Sequence, residues 1–176
     1  MNTQDLENCL NTTENDSKYI EEIVYDIVDD CCKKLDNYIA YVRSILADDS
    51  AVITNEELDE IIMTIPVLTY YAGEAQERIG ITKDVADSRY KAMFNDLYVN
   101  SEGAAQVRKS IAEDKLKNEI LVSIVYSKAY DMISQKVTTA LEILKSAKKV
   151  VSRRMLASEM ERSTFNKDRS VSDVED

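Results

Sequence analysis

Five cations, Lys145, Lys148, Lys149, Arg153 and Arg154, stand within ten residues of one another, and no acid falls between Ile143 and Ser158. Ammonium and guanidinium groups at this density suit a polyanion. On a helix, a 100° step from Leu144 sets Lys145, Lys149 and Arg153 in a row about 100° to 180° round the axis, with Lys128 near the same side. Cations one turn apart match a run of phosphates, bound with strong salt dependence and little base preference. Late in a helix the same charges also complement its macrodipole, by ~0.3–1 kcal/mol each. The competing reading is a solvated helix face, or one that pairs with the acidic half of its own or a neighbouring subunit.

Two further sets could do chemistry. Arg89, Tyr90 and Lys91 put an aromatic ring between two cations, an arrangement that can stack an unpaired base while holding its phosphate. Tyr126 and Tyr130 lie one turn apart, but tyrosine on an apolar helix face more often serves a core or an interface. Asp26-x-x-Asp29 and Glu56-x-x-Asp59 would each place two carboxylates on one helix face, and two such pairs together could hold Mg²⁺. This resembles in outline the Glu-x-x-Glu and Glu-x-x-Asp pairs of the all-α nucleotide pyrophosphatases, although the first pair here is Asp/Asp. With 21 acids in the first 100 residues such spacings also arise by chance. The chain has no histidine, which excludes His-dependent acid–base catalysis. It has no glycine-rich phosphate loop and no Ser/His/Asp or Cys/His set. The expectation is a non-enzymatic protein with no catalytic residues, metal site or cofactor.

Helices must position these groups. Three glycines and one proline in 176 residues argue against barrels, sandwiches and turn-rich α/β folds. The spacing predicts a first helix from about Ser17 to Ala47, ended by Asp48, Asp49 and Ser50, with Ile20, Val24, Ile27, Cys31, Leu35, Tyr38 and Val42 inward. Thr54 to Glu57 reads as a capping box opening a second helix. That helix should bury Leu58, Ile61, Ile62, Ile65, Leu68 and Tyr71, kink or break near Pro66, and stop at Gly80. Thr82 would cap a third helix, with Val85, Tyr90, Met93, Phe94 and Leu97 inward, to about Val99; Asn100 to Gly103 form a turn. From Ala104 onward there is no glycine or proline. One helix should start at the Ser110–Glu113 capping box, or earlier at Ser101, and reach about Met160, on the order of 50 residues and ~75 Å. Tyr130, Ile133, Val137, Ala140, Leu144, Ala147 and Val151 step by three and four along it. That coiled-coil-like seam implies an oligomer interface.

The fold class is therefore all-α: three shorter helices, then one very long C-terminal helix with a seam, in an oligomer. Residues 16–160 form one helical domain between a disordered N-terminus (1–15) and a disordered acidic tail (161–176). Charge is uneven. The net −11 divides into −13 over residues 1–100, +5 over 101–158 and −3 thereafter, an asymmetry that points to nucleic acid or another charged partner. Cys9, Cys31 and Cys32 have no clamp spacing and suit a reducing cytosol. No leader and no membrane-length apolar run stands out, so a cytoplasmic location is expected, the host cytoplasm if the source is a phage.

The order of features resembles the phage recombination-mediator family, the UvsY-like proteins. The likeness runs over about residues 60–155: Arg89 to Tyr98 before the turn, Ala112-Glu113-Asp114-Lys115 where the long helix opens, and Leu144-Lys145-Ser146-Ala147-Lys148-Lys149 where it closes. The chain lacks the glycine that follows the basic residue in that family, and its N-terminal half is more acidic. The resemblance implies a ring-like homo-oligomer on single-stranded DNA that helps load a recombinase onto strands covered by single-strand-binding protein. It assigns the seam to the subunit interface, Lys145, Lys149 and Arg153 to phosphates, and the acidic half to protein partners. A phage structural or assembly protein (virion component, scaffold or packaging adaptor) is the alternative, and a Mg²⁺-dependent pyrophosphatase a distant third.

Overall fold

The computed structural model describes the backbone of residues 3–47 and 52–172, and side chains for 13–14, 17–47 and 52–162. Asp48 to Ser50, the last four residues and the Cys9 side chain lie outside the described set. Four helices account for most of it: α1 (Thr3–Leu46), α2 (Asn55–Asn100), α3 (Ala105–Lys115) and α4 (Lys117–Ser172). No strand occurs among the described residues. No helix there is long and apolar enough to cross a membrane.

The helix boundaries differ from expectation in four places. α1 is helical from Thr3, upstream of Ser17, and α4 continues past Met160 to Ser172. Both extensions lack glycine and proline, and nothing local stops a helix there. The Thr54 box forms as expected: the Glu57 N–H donates to Thr54 Oγ1 at 3.1 Å, and the Thr54 N–H donates to Glu57 Oε2 at 2.7 Å. Beyond it the expected second and third helices are one, running unbroken through Pro66 and Gly80. Thr69, one turn after the proline, is buried and turns its hydroxyl onto the carbonyls of Ile65 (2.9 Å) and Pro66 (3.1 Å). Thr82 caps nothing; its hydroxyl donates to Arg78 O within the same helix.

Gly80 is a notch, not a stop. A Cβ there would sit 3.2 Å from Cε2 of Tyr130, closer than packed atoms normally come. The expected turn forms at residues 101–104, around Gly103, whose φ of +110° only glycine adopts without strain. The Ser110 box does not form, because α3 has already begun at Ala105. α3 and α4 are separated at Leu116, whose N–H reaches both Ala112 O (3.1 Å) and Glu113 O (3.3 Å). Its side chain is buried, and Asp114 and Lys117 pair across the junction at 2.5 Å. The expected single helix is thus two.

Packing divides the chain into two compact units, Met1–Lys34 with Tyr70–Val137, and Leu35–Thr69 with Thr138–Asp176. In the first, Val28, Cys32, Ala112, Leu116, Ala129 and Ile133 are the most deeply buried; in the second, Leu35, Val42, Leu58, Ile61, Ile65 and Ala140. Tyr71 and Val85, both expected inward, are exposed. Ala72 and Ala75 are buried in that stretch of α2, and Tyr71 lies about 120° round the helix from Ile65.

Candidate functional site

The residues of the expected seam are largely packed within the chain itself. Ile133 and Ala140 have no exposed surface, Leu144 and Ala147 are buried, and Tyr130, Val137 and Val151 are half-buried, all within a single chain. Side chains packed in this way within one chain leave only part of this face, at Tyr130, Val137 and Val151, exposed. A 3–4 repeat marks burial equally well when the partner helix belongs to the same chain. In the first unit Tyr130 packs on Gly80, with the Lys83 ammonium 5.4 Å from its ring centre. Tyr126, one turn earlier on α4, is half-buried.

The basic block lies in the second unit, and it splits. Arg154 is a clamp: its guanidinium donates to Asn55 Oδ1 at 2.7 Å and to Ile53 O at 2.6 Å, holding the segment that leads into α2. Its side chain turns about 280° from Leu144, towards the packed face of α4. Lys145, Lys148, Lys149 and Arg153 remain on the outer face. Lys145 contacts Glu142 at 3.5 Å, an exposed pair of small energetic weight. Among the described residues no carboxylate pairs with Lys148, Lys149 or Arg153. Ser146 and Ser152 turn their hydroxyls back to the helix carbonyls of Glu142 and Lys148, leaving the cations as the strip's main polar groups.

Charge alone did not reveal the apolar part of this face. Leu141 is 45% exposed and Leu156 56% exposed, and with Leu144 and the four cations they line a shallow groove of about 530 Å³. The outer face of α4 is therefore a strip of leucine and lysine together. The visible clue was the position of Leu141 and Leu156 at 60° and 120° from Leu144, outside the seam.

Arg89, Tyr90 and Lys91 are not brought together as one contact. Tyr90 is half-buried and begins a ladder along α2, 6.0 Å from Phe94, which stacks on Tyr98 at 6.1 Å. The Arg108 guanidinium caps that ladder, 4.6 Å from the Tyr98 ring centre, with a buried Nε that finds no acceptor. Arg89 and Lys91 are exposed on either side of the ring; Arg89 borders a small cavity with Asn118, Glu119 and Val122. Tyr90 is committed to its own helix and leaves only the two cations for a ligand.

The carboxylate pairs also fall apart. Asp29 is engaged by Lys33 at 3.6 Å, and among the described residues no three acidic, cysteine or histidine side chains gather as a cation would need. Glu56 and Asp59 are exposed on α2 with Glu60. Cys32 is buried and Cys31 half-buried. Burial pushes the Cys31 thiol above its ordinary range, the Arg78 charge opposing this and Asp30 adding to it.

Comparison with family models, with curated proteins and with solved structures finds no match for the chain.

Proposed function

We propose that this is a non-enzymatic accessory protein of single-stranded DNA, of the recombination-mediator kind, which holds the strand on the outer face of α4. The observation that supports the reading is the row of exposed cations Lys145, Lys148, Lys149 and Arg153, three of them free of carboxylates among the described residues. One elongated basic face on a protein of net charge −11 concentrates a polyanion there and repels it elsewhere. The contact is electrostatic and indifferent to base identity; a recombinase or single-strand-binding protein would meet other surfaces.

Titration of a fluorescent oligothymidine against salt tests this. Four phosphate contacts on a single strand give a slope of about −3 in log K against log salt, and Lys149→Ala flattens it by about 0.7. Absence of binding at low salt, or binding indifferent to Lys145→Ala, Lys149→Ala and Arg153→Ala together, overturns the reading. The exposed Leu141 and Leu156 favour a second one, an assembly protein whose α4 face meets protein rather than phosphate.

A further inference from the structure

The strip on α4 has a counterpart on α2 of the same unit. Glu56, Asp59 and Glu60 are exposed there, followed one turn on by Met63 (72% exposed) and two turns on by Val67 (54% exposed). By the 100° step these five fall within about 100° of one another, on the side of α2 opposite buried Leu58, Ile61 and Ile65. Among the described residues no cation pairs with these three carboxylates.

The two strips match in spacing as well as in sign. Lys145, Lys148 and Lys149 follow the same i, i+3, i+4 pattern as Glu56, Asp59 and Glu60. Seven positions after the third of these charges, each strip carries an exposed apolar residue, Leu156 on α4 and Val67 on α2, while the fourth cation, Arg153, falls opposite Thr64. Laid alongside in parallel at a single register, the helices pair Lys145 with Glu56, Lys148 with Asp59, Lys149 with Glu60 and Leu156 with Val67. Charge pairs flanking an apolar contact are what fixes partner and register between helices. Both strips face outward on their own helices, with no described residue covering either, and each is the complement of the other on a second copy.

We infer that the chain self-associates by docking the basic strip of α4 on the acidic strip of α2 of a second copy. The two surfaces differ, so the contact is heterologous and adds copies head to tail. Single-stranded DNA and the α2 strip compete for the same lysines, and DNA loosens the assembly. That competition rests on the strand-binding reading; the self-association does not.

Charge reversal with the full-length chain tests it, by sedimentation at ~0.1 M and ~1 M salt, where the screening length falls from ~10 Å to ~3 Å. The wild type runs above the 20.0 kDa of one chain at low salt and falls towards it at high salt. Lys145→Glu with Lys149→Glu, and separately Glu56→Lys with Glu60→Lys, each weaken association at least about tenfold. All four reversals in one chain restore it, an outcome that misfolding of either parent would not give. The restored chain no longer binds oligothymidine. A single-chain mass at low salt, or an oligomer unmoved by either reversal, overturns the inference. Association that follows these rules without any DNA binding upholds it and removes the strand-binding reading; DNA binding by a monomer does the reverse.

Discussion

Arg154 and Arg153 are neighbours in sequence with the same side chain, and the fold gives them different work. Replacing Arg154 with alanine removes two hydrogen bonds from a charged donor, to Asn55 Oδ1 and to Ile53 O. Such bonds contribute ~1.5–3 kcal/mol when well shielded. Here the Asn55 contact is exposed and the Ile53 contact only part-buried, so solvent screening reduces the pair to a combined ~1–2 kcal/mol. For a chain of this size that corresponds to a fall in melting temperature of ~2–8 °C. Arg154→Lys recovers little, because an ammonium cannot span two acceptors with the fork of a guanidinium. Arg153→Ala, on the outer face, leaves the melting temperature within ~1–2 °C of wild type and weakens oligothymidine binding. Thermal unfolding followed by circular dichroism, beside anisotropy on the same preparations, reads both effects. The reasoning fails if Arg154→Ala melts with the wild type and loses DNA binding, since Arg154 would then belong to the strip.

Three further outcomes follow from the packing. Ile133→Ala empties a fully buried site and should cost ~2–5 kcal/mol; urea unfolding at several protein concentrations should show the same loss at each, and a loss confined to dilute samples would return Ile133 to a subunit interface. Gly80→Ala sets a helix-propensity gain of up to ~1 kcal/mol against a Cβ 3.2 Å from the Tyr130 ring, so the substitution should stabilise clearly only in a Tyr130→Ala background; equal effects in both backgrounds would show that the ring exerts no constraint. Because burial raises the Cys31 pKa, its stabilising share is full below the unfolded thiol's pKa of about 8.5 and is lost as pH climbs above it. Disulfide reagents at mildly alkaline pH should accordingly label Cys31 more slowly than a free thiol, and Arg78→Ala should slow labelling further; an unchanged rate counts against the role of Arg78.

Helical content was legible from composition, because a chain with three glycines and one proline has few means of turning. Thr54 and Glu57 announced the start of α2 correctly, since a capping box acts over four residues and needs nothing distant. The Ser110 box carried the same letters and did not form, because α3 was already under way when the chain reached it. Gly80 read as a stop for a related reason: a glycine lowers helix propensity by itself, but here its missing Cβ admits the Tyr130 ring, fifty residues away in sequence. Periodicity located the buried stripe of α4, with Ile133, Ala140, Leu144 and Ala147 all on it.

Whose helices would cover that stripe was a tertiary matter. A 3–4 repeat records that a face is apolar, and the same repeat serves a partner within the chain or beyond it. Sequence also determined that the cations between Lys145 and Arg154 share one stretch of helix. Only the fold separated Arg154, drawn inward by Asn55 and the Ile53 carbonyl, from Lys145, Lys148, Lys149 and Arg153, left outside with Leu141 and Leu156. Local rules act within a turn or two of helix and can be read from neighbours. Which surface stays open is settled by where distant segments come to rest, and there the residues of α2 and α4 took their roles.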